Sequence, residues 1–129
     1  MYCLDSNIVI ENFSGNKQIE SRLREIANHD VFITPVTLCE LYKGAFLSND
    51  LEKKVIMINN FLKAVNLLDF DTYSCELYGK IYSDLKKAGR LTQDFDLMIA
   101  AICKANNKIL ITRNKKHFEN ITELKLLGV

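Results

Sequence analysis

Apolar residues recur along this chain in two rhythms: short unbroken clusters, and longer stretches spaced three and four apart. The two alternate. Tyr2 to Leu4 reads as a short buried strand. Ser14-Gly15-Asn16 is a break, and a helix follows with Ile19, Leu23 and Ile26 on one face. Val31-Phe32-Ile33 is a β-branched and aromatic run that ends at Pro35, a second strand. Thr34 or Thr37 is placed to cap the helix carrying Cys39, Glu40 and Leu41, which Ser48-Asn49-Asp50 ends. The next helix presents Val55, Ile58, Phe61 and Leu62, and Val65 to Leu68 is a weak third strand. Asp71 or Thr72 opens a long helix with Cys75, Tyr78, Ile81, Tyr82 and Leu85 on one face. Lys86, Lys87 and Gly89 end it, with cations in the last turn and glycine past it. After the loop Arg90 to Gln93, an apolar helix runs from about Asp94 to Asn106. Ile109-Leu110-Ile111 is a fourth strand, and Leu124 to Leu127 a fifth, at an edge.

Such alternation predicts right-handed crossovers, hence an α/β fold with a mainly parallel sheet of about five strands and helices on both faces. The strands lack strict polar alternation, as expected for strands buried on both sides. With 129 residues, 48% of them hydrophobic, the chain fits a single domain over 1–129 with a substantial core. No internal repeat or low-complexity tract is visible, and Pro35 is the only proline. The run Leu97 to Cys103 is far too short to span a membrane. No basic leader precedes an apolar stretch, so no signal peptide is expected. The cysteines Cys3, Cys39, Cys75 and Cys103 are isolated within apolar patterns, without a CxxC pair. They read as four buried free thiols in a reducing, cytoplasmic compartment.

Three acids stand against apolar elements. Asp5 closes the first strand, Glu40 interrupts Val36 to Tyr42, and Asp96 opens the apolar helix. Each has an ordinary reading alone: Asp5 as a helix cap, Glu40 as an exposed helix residue, Asp96 as a first-turn acid. Carboxylates beside buried elements are costly unless paired, hydrogen-bonded or bound to a metal. Open α/β sheets gather ligands at the carboxyl ends of their strands, where Asp5 and the segment Thr112 to Asn114 both fall. The three acids therefore point to one hard divalent cation, Mg²⁺ or Mn²⁺, which takes oxygen ligands.

Net charge is +1 and decides nothing, but its distribution is uneven. Lys104, Lys108, Arg113, Lys115 and Lys116 fall between Lys104 and His117 with no acid among them. This is either a solvated face or a surface for phosphate backbone beside the acids.

Four segments carry a family resemblance: Leu4 to Asn7, Thr34 to Ala45, Gly89 to Ala101 and Ile111 to Phe118. Together, in this order and over nearly the whole chain, they resemble a PIN domain, and more closely a VapC-type toxin ribonuclease of a type II toxin–antitoxin pair. The resemblance implies a three-layer α/β/α fold and Mg²⁺-dependent cleavage of RNA phosphodiesters, with Mn²⁺ as a substitute. It implies Asp5, Glu40 and Asp96 as metal-binding catalytic acids, a cognate VapB-type antitoxin and a homodimer. Many PIN domains carry a fourth acid where this chain has Asn114, although VapC-type relatives often have Asn there. Asn114 is then a group that orients a ligand or a water, or part of a second metal position. Asp94 is either a partial replacement for that acid or a cap or first-turn acid of its own helix. Ser6 and Thr112 are either donors to the acids or to a phosphate, or turn and cap hydroxyls. Arg113, Lys115 and Lys116 are the candidate RNA contacts. The apolar helix positions near Glu40 and from Val55 to Leu62 either form an antitoxin groove or complete the core.

Other classes fit less well. A dehalogenase-type phosphotransferase needs a second Asp where Asn7 stands, and a receiver domain needs an acidic pair that is missing. His29 and His117 do not adjoin the acid motifs in sequence, which argues against a two-histidine ribonuclease and leaves His117 a surface residue. The remaining alternative is a weak or inactive PIN-like module that binds RNA or protein.

Overall fold

The computed structural model describes residues Met1–Val129. Strands β1 (Tyr2–Leu4), β2 (Val31–Ile33), β3 (Asn66–Leu67), β4 (Ile109–Thr112) and β5 (Leu126–Gly128) form one sheet in the order β3-β2-β1-β4-β5. All pairings are parallel, with Leu4 opposite Ile111 and Thr112 opposite Gly128. The helices are α1 (Ser6–Phe13), α2 (Lys17–Glu25), α3 (Pro35–Leu47), α4 (Leu51–Ala64), α5 (Thr72–Lys87) and α6 (Asp94–Ala105). A single 3₁₀ turn, Lys115–His117, follows β4.

Successive strand residues feed opposite layers. Cys3 and Leu110 join a core with Ile81, Leu85, Leu97 and Phe118 beneath α5 and α6. Leu4, Ile33 and Ile111 join another with Ile8, Val9, Leu41 and Ile58 beneath α1 to α4. The sheet is thus covered on both faces, as its apolar strands require. Helix starts follow local chemistry. Thr34 caps α3 by accepting the Thr37 N–H, with Pro35 in the first turn, and Asp71 caps α5 by accepting the Ser74 N–H.

The expected elements are present, with β3 cut to two residues and β5 shifted toward the end of the chain. One expectation fails: of the four thiols only Cys3 and Cys103 are buried, while Cys39 and Cys75 are exposed. On α5 the buried positions are Ser74, Ile81 and Leu85, so Cys75 lies one residue off that stripe. On α3, Val36, Thr37, Leu41 and Ala45 face inward and Cys39 faces out.

Candidate active site

Strand β1 is the middle of the sheet, and α1 leaves its carboxyl end directly. Asp5 sits at that junction as the N-cap of α1, with extended backbone, and is 3% exposed. Its backbone N–H still pairs with Ile111 O of β4 at 2.9 Å. Each carboxylate oxygen accepts one bond: Oδ1 from the Ser6 N–H at 2.8 Å, Oδ2 from the Thr112 hydroxyl at 2.7 Å. Thr112 is itself fixed, because its Oγ1 accepts the Asn114 N–H at 2.9 Å. Burial pushes the Asp5 carboxyl above its ordinary value, and the negative charges of Asp96 and Glu40 push it further. The bonds from Thr112 and Ser6 pull the other way without reversing the shift.

The Ser6 hydroxyl donates to Glu40 Oε1 at 2.6 Å and lies 3.2 Å from Thr37 Oγ1. One residue thus holds two acids, Asp5 through its backbone and Glu40 through its side chain. Asp96 lies in the first turn of α6, where the helix dipole favours a carboxylate. Its Oδ2 is 2.9 Å from His117 Nδ1.

The geometry therefore brings Asp5, Glu40, Asp96, Ser6 and Thr112 together and sets Asn114 beside them through its backbone. Ser6 and Thr112 are bonded to the acids, beyond any role as cap or turn hydroxyls. Asp94 is placed differently: it starts α6, is exposed, and accepts the Tyr78 hydroxyl at 2.7 Å. That bond pushes the Tyr78 phenol up to about 12, helped by burial and by the Asp94 charge. Arg113 faces Glu11 at 3.6 Å, while Lys115 and Lys116 stand exposed on the 3₁₀ turn.

His117 is exposed, as the sequence reading has it, yet it meets an acid that it does not adjoin in sequence. It is 21 residues from Asp96, but the turn after β4 carries it to the start of α6. The only signal for this was that both segments end at the same rim of the sheet. His29 packs edge-on against Tyr2 at the start of β1, with ring centroids 5.6 Å apart. The two histidines thus sit at opposite ends of the sheet and form no pair.

The donor set suits a hard cation: three carboxylates, with the buried one destabilised by the charge of the other two. In the arrangement seen here no three His, Cys, Asp or Glu side chains form a finished cage. Glu40 Oε1 is turned to Ser6 and Asp96 Oδ2 to His117, which leaves Glu40 Oε2 and Asp96 Oδ1 without protein partners.

An open parallel sheet covered by helices on both faces, with acids gathered at the carboxyl end of its central strand, defines a three-layer α/β/α protein. The chain belongs to the PIN domain family, whose model matches residues 2–124. It is 36% identical over 127 residues to Ribonuclease VapC1 of Haemophilus influenzae strain R2866, covering 97% of this chain and 95% of that protein. It is 33% identical over 125 residues to the tRNA(fMet)-specific endonuclease VapC of Shigella flexneri, covering 96% and 94%. Among solved structures, VapBC2 of Rickettsia felis bound to a promoter DNA fragment superposes with a TM-score of 0.93 at 27% identity, covering 99% of this chain and 98% of that one. VapBC-1 of nontypeable Haemophilus influenzae superposes with a TM-score of 0.89 at 35% identity, covering 98% and 96%.

Proposed function

We propose that this protein is a divalent-metal-dependent endoribonuclease toxin, active on RNA in the cytoplasm and silenced by a cognate VapB-type antitoxin. The carrying observation is the buried Asp5 carboxylate, clamped by Thr112 and Ser6 and facing the charges of Glu40 and Asp96. Asp5, Glu40 and Asp96 would hold Mg²⁺, with Mn²⁺ as a substitute. A cation bound there supplies polarisation of a phosphoryl oxygen and activation of water. Thr112 and Ser6 aim Asp5 and favour its ionised form against burial, by donating to both of its oxygens. Ser6 and His117 fix Glu40 and Asp96 through one oxygen each, and Asn114 stands at the mouth as a polar group for ligand or water. Arg113, Lys115 and Lys116 supply positive charge for the RNA backbone on the same rim.

The names of the relatives support RNA as substrate, and the VapBC complexes among the similar structures support an antitoxin partner. So does the surface. A cavity of about 820 Å³ between α2 and α4 is lined by Leu23, Ile26, Met57, Phe61 and Val65. At the end of α3, Phe46 and Leu47 are 70% and 78% exposed, an adjacent pair of large apolar side chains open to a partner. Homodimerisation is read by light scattering of the purified protein.

The test is cleavage of total cellular RNA with Mg²⁺, with Mn²⁺ and with EDTA. Defined cuts with either ion, none in EDTA, and none from Asp5→Asn or Asp96→Asn are expected. Equal cutting by those variants overturns the acid-site reading.

A further inference from the structure

Beyond β4 the chain passes Arg113 and Asn114 into the 3₁₀ turn and later returns as β5, so that Gly128 lies opposite Thr112. Arg113, Asn114, Lys115, Lys116, His117 and Gly128 border an open depression of about 450 Å³. Its lining is polar and cationic, with Val129 the only apolar side chain.

Gly128 shapes it. A Cβ at position 128 would stand 2.7 Å from Cδ and 3.3 Å from Cγ of Lys115. The Lys115 stem therefore lies on bare backbone, and any side chain at position 128 displaces it. No carboxylate side chain comes within 4.0 Å of Lys115 or Lys116, whereas Arg113 is loosely matched by Glu11 at 3.6 Å. Unpaired cations around a hollow form a seat for an anion. His117 joins this hollow to the acids: it borders the depression while its Nδ1 meets Asp96.

We propose that this depression seats a phosphate of the RNA strand flanking the bond to be cut, with Lys115, laid on Gly128, as the principal contact. The proposal rests on the ribonuclease reading and adds a defined subsite to it. The lining holds three cations and one amide, with no Phe, Tyr or Trp, and its one ring, His117, is held by Asp96; it therefore recognises phosphate rather than base, and the contact positions the strand without sequence preference. The same lining offers no apolar pocket to anchor a peptide side chain, which favours RNA over an acidic protein segment.

The experiment measures binding of a fluorescein-labelled single-stranded 12-mer RNA in EDTA across a salt series. Wild type is compared with Lys115→Gln, Gly128→Ala and the control Lys63→Gln. Lys63 ends α4, where the chain enters β3 at the opposite rim. Losing one phosphate contact lowers the log–log salt slope by about 0.7 and the affinity about fivefold at roughly 0.1 M salt. Both Lys115→Gln and Gly128→Ala are expected to show this, although Gly128→Ala keeps every charge, and Lys63→Gln is not. Lys115→Gln binding RNA like Lys63→Gln overturns the proposal. So does Lys115→Gln weakening an oligoglutamate peptide while leaving RNA untouched, which assigns the seat to an acidic protein. Wild type without salt-dependent RNA binding sinks the ribonuclease reading itself, a result separate from the other two.

Discussion

The Thr112 hydroxyl donates to Asp5 Oδ2 at 2.7 Å across 107 residues of sequence, and Thr112 Oγ1 in turn accepts the Asn114 N–H at 2.9 Å. One threonine thus couples the acid at the end of β1 to the turn that carries the basic rim.

Thr112→Val keeps the shape and removes both bonds. It strands the Asn114 N–H and frees one Asp5 oxygen, so RNA cleavage should fall about 10–100-fold. Melting should report a loss of roughly 1–2 kcal/mol from the unmatched, half-buried donor. A valine variant that cuts at the wild-type rate removes Thr112 from the site.

Asp96 should depend on His117 for its aim. His117→Ala is expected to lower the cleavage rate about tenfold, and His117→Asn, whose amide nitrogen reaches the same oxygen, to recover part of it. Equal rates for the alanine and asparagine variants would mean that the 2.9 Å contact positions nothing.

Cation binding should appear as stability. At an Mn²⁺ concentration about a hundred times its Kd the gain is roughly 2.7 kcal/mol, read as a rise in Tm that EDTA reverses. Asp5→Asn and Asp96→Asn should show little of it. An equal rise in all three proteins places the ion elsewhere.

The Asp5 carboxyl is raised in the fold, so ionised Asp5 opposes folding at neutral pH and protonation relieves it. In EDTA, the stability of Asp5→Asn relative to wild type should be greatest at neutral pH. That difference should shrink as pH falls through the raised value toward the ordinary 3.8, below which Asp5 is protonated folded or unfolded. A difference that stays flat across this window contradicts the buried-charge account.

Tyr78 offers an independent check near the site. Of the five tyrosines, one should ionise at about 12 in an ultraviolet titration. In Asp94→Asn that late phase should move down toward 10, because the carboxylate favouring the protonated phenol is gone. The folded protein holds this proton more tightly than the unfolded chain, so the bond's contribution fades between pH 10 and 12.

The layers and the acid site were readable in the sequence for a shared reason. Leu4 and Ile111 are apolar because the strands are buried on both faces, and Asp5 is conspicuous because it follows such a strand. What escaped depends on turns and on helix phase. His117 reaches Asp96 only because three residues after Asn114 coil into a 3₁₀ turn, which no apolar rhythm encodes. Cys75 looked buried because a helical stripe drawn one residue off fits almost as well as the true one through Ser74 and Ile81. Glycine 128 carries no signal at all until β5 is set beside the lysine it accommodates.

The pairing of β1 with β4 also makes assembly of the acid site a late event of folding. Tyr2 to Leu4 meet their neighbours Ile109 to Ile111 only across six helices, the longest separation of any strand pair in the sheet. Until β4 docks, Asp5 lacks Thr112 and Asp96 lacks His117. Closing so long a loop is costly, so the acids acquire the groups that aim them only when the sheet as a whole has formed.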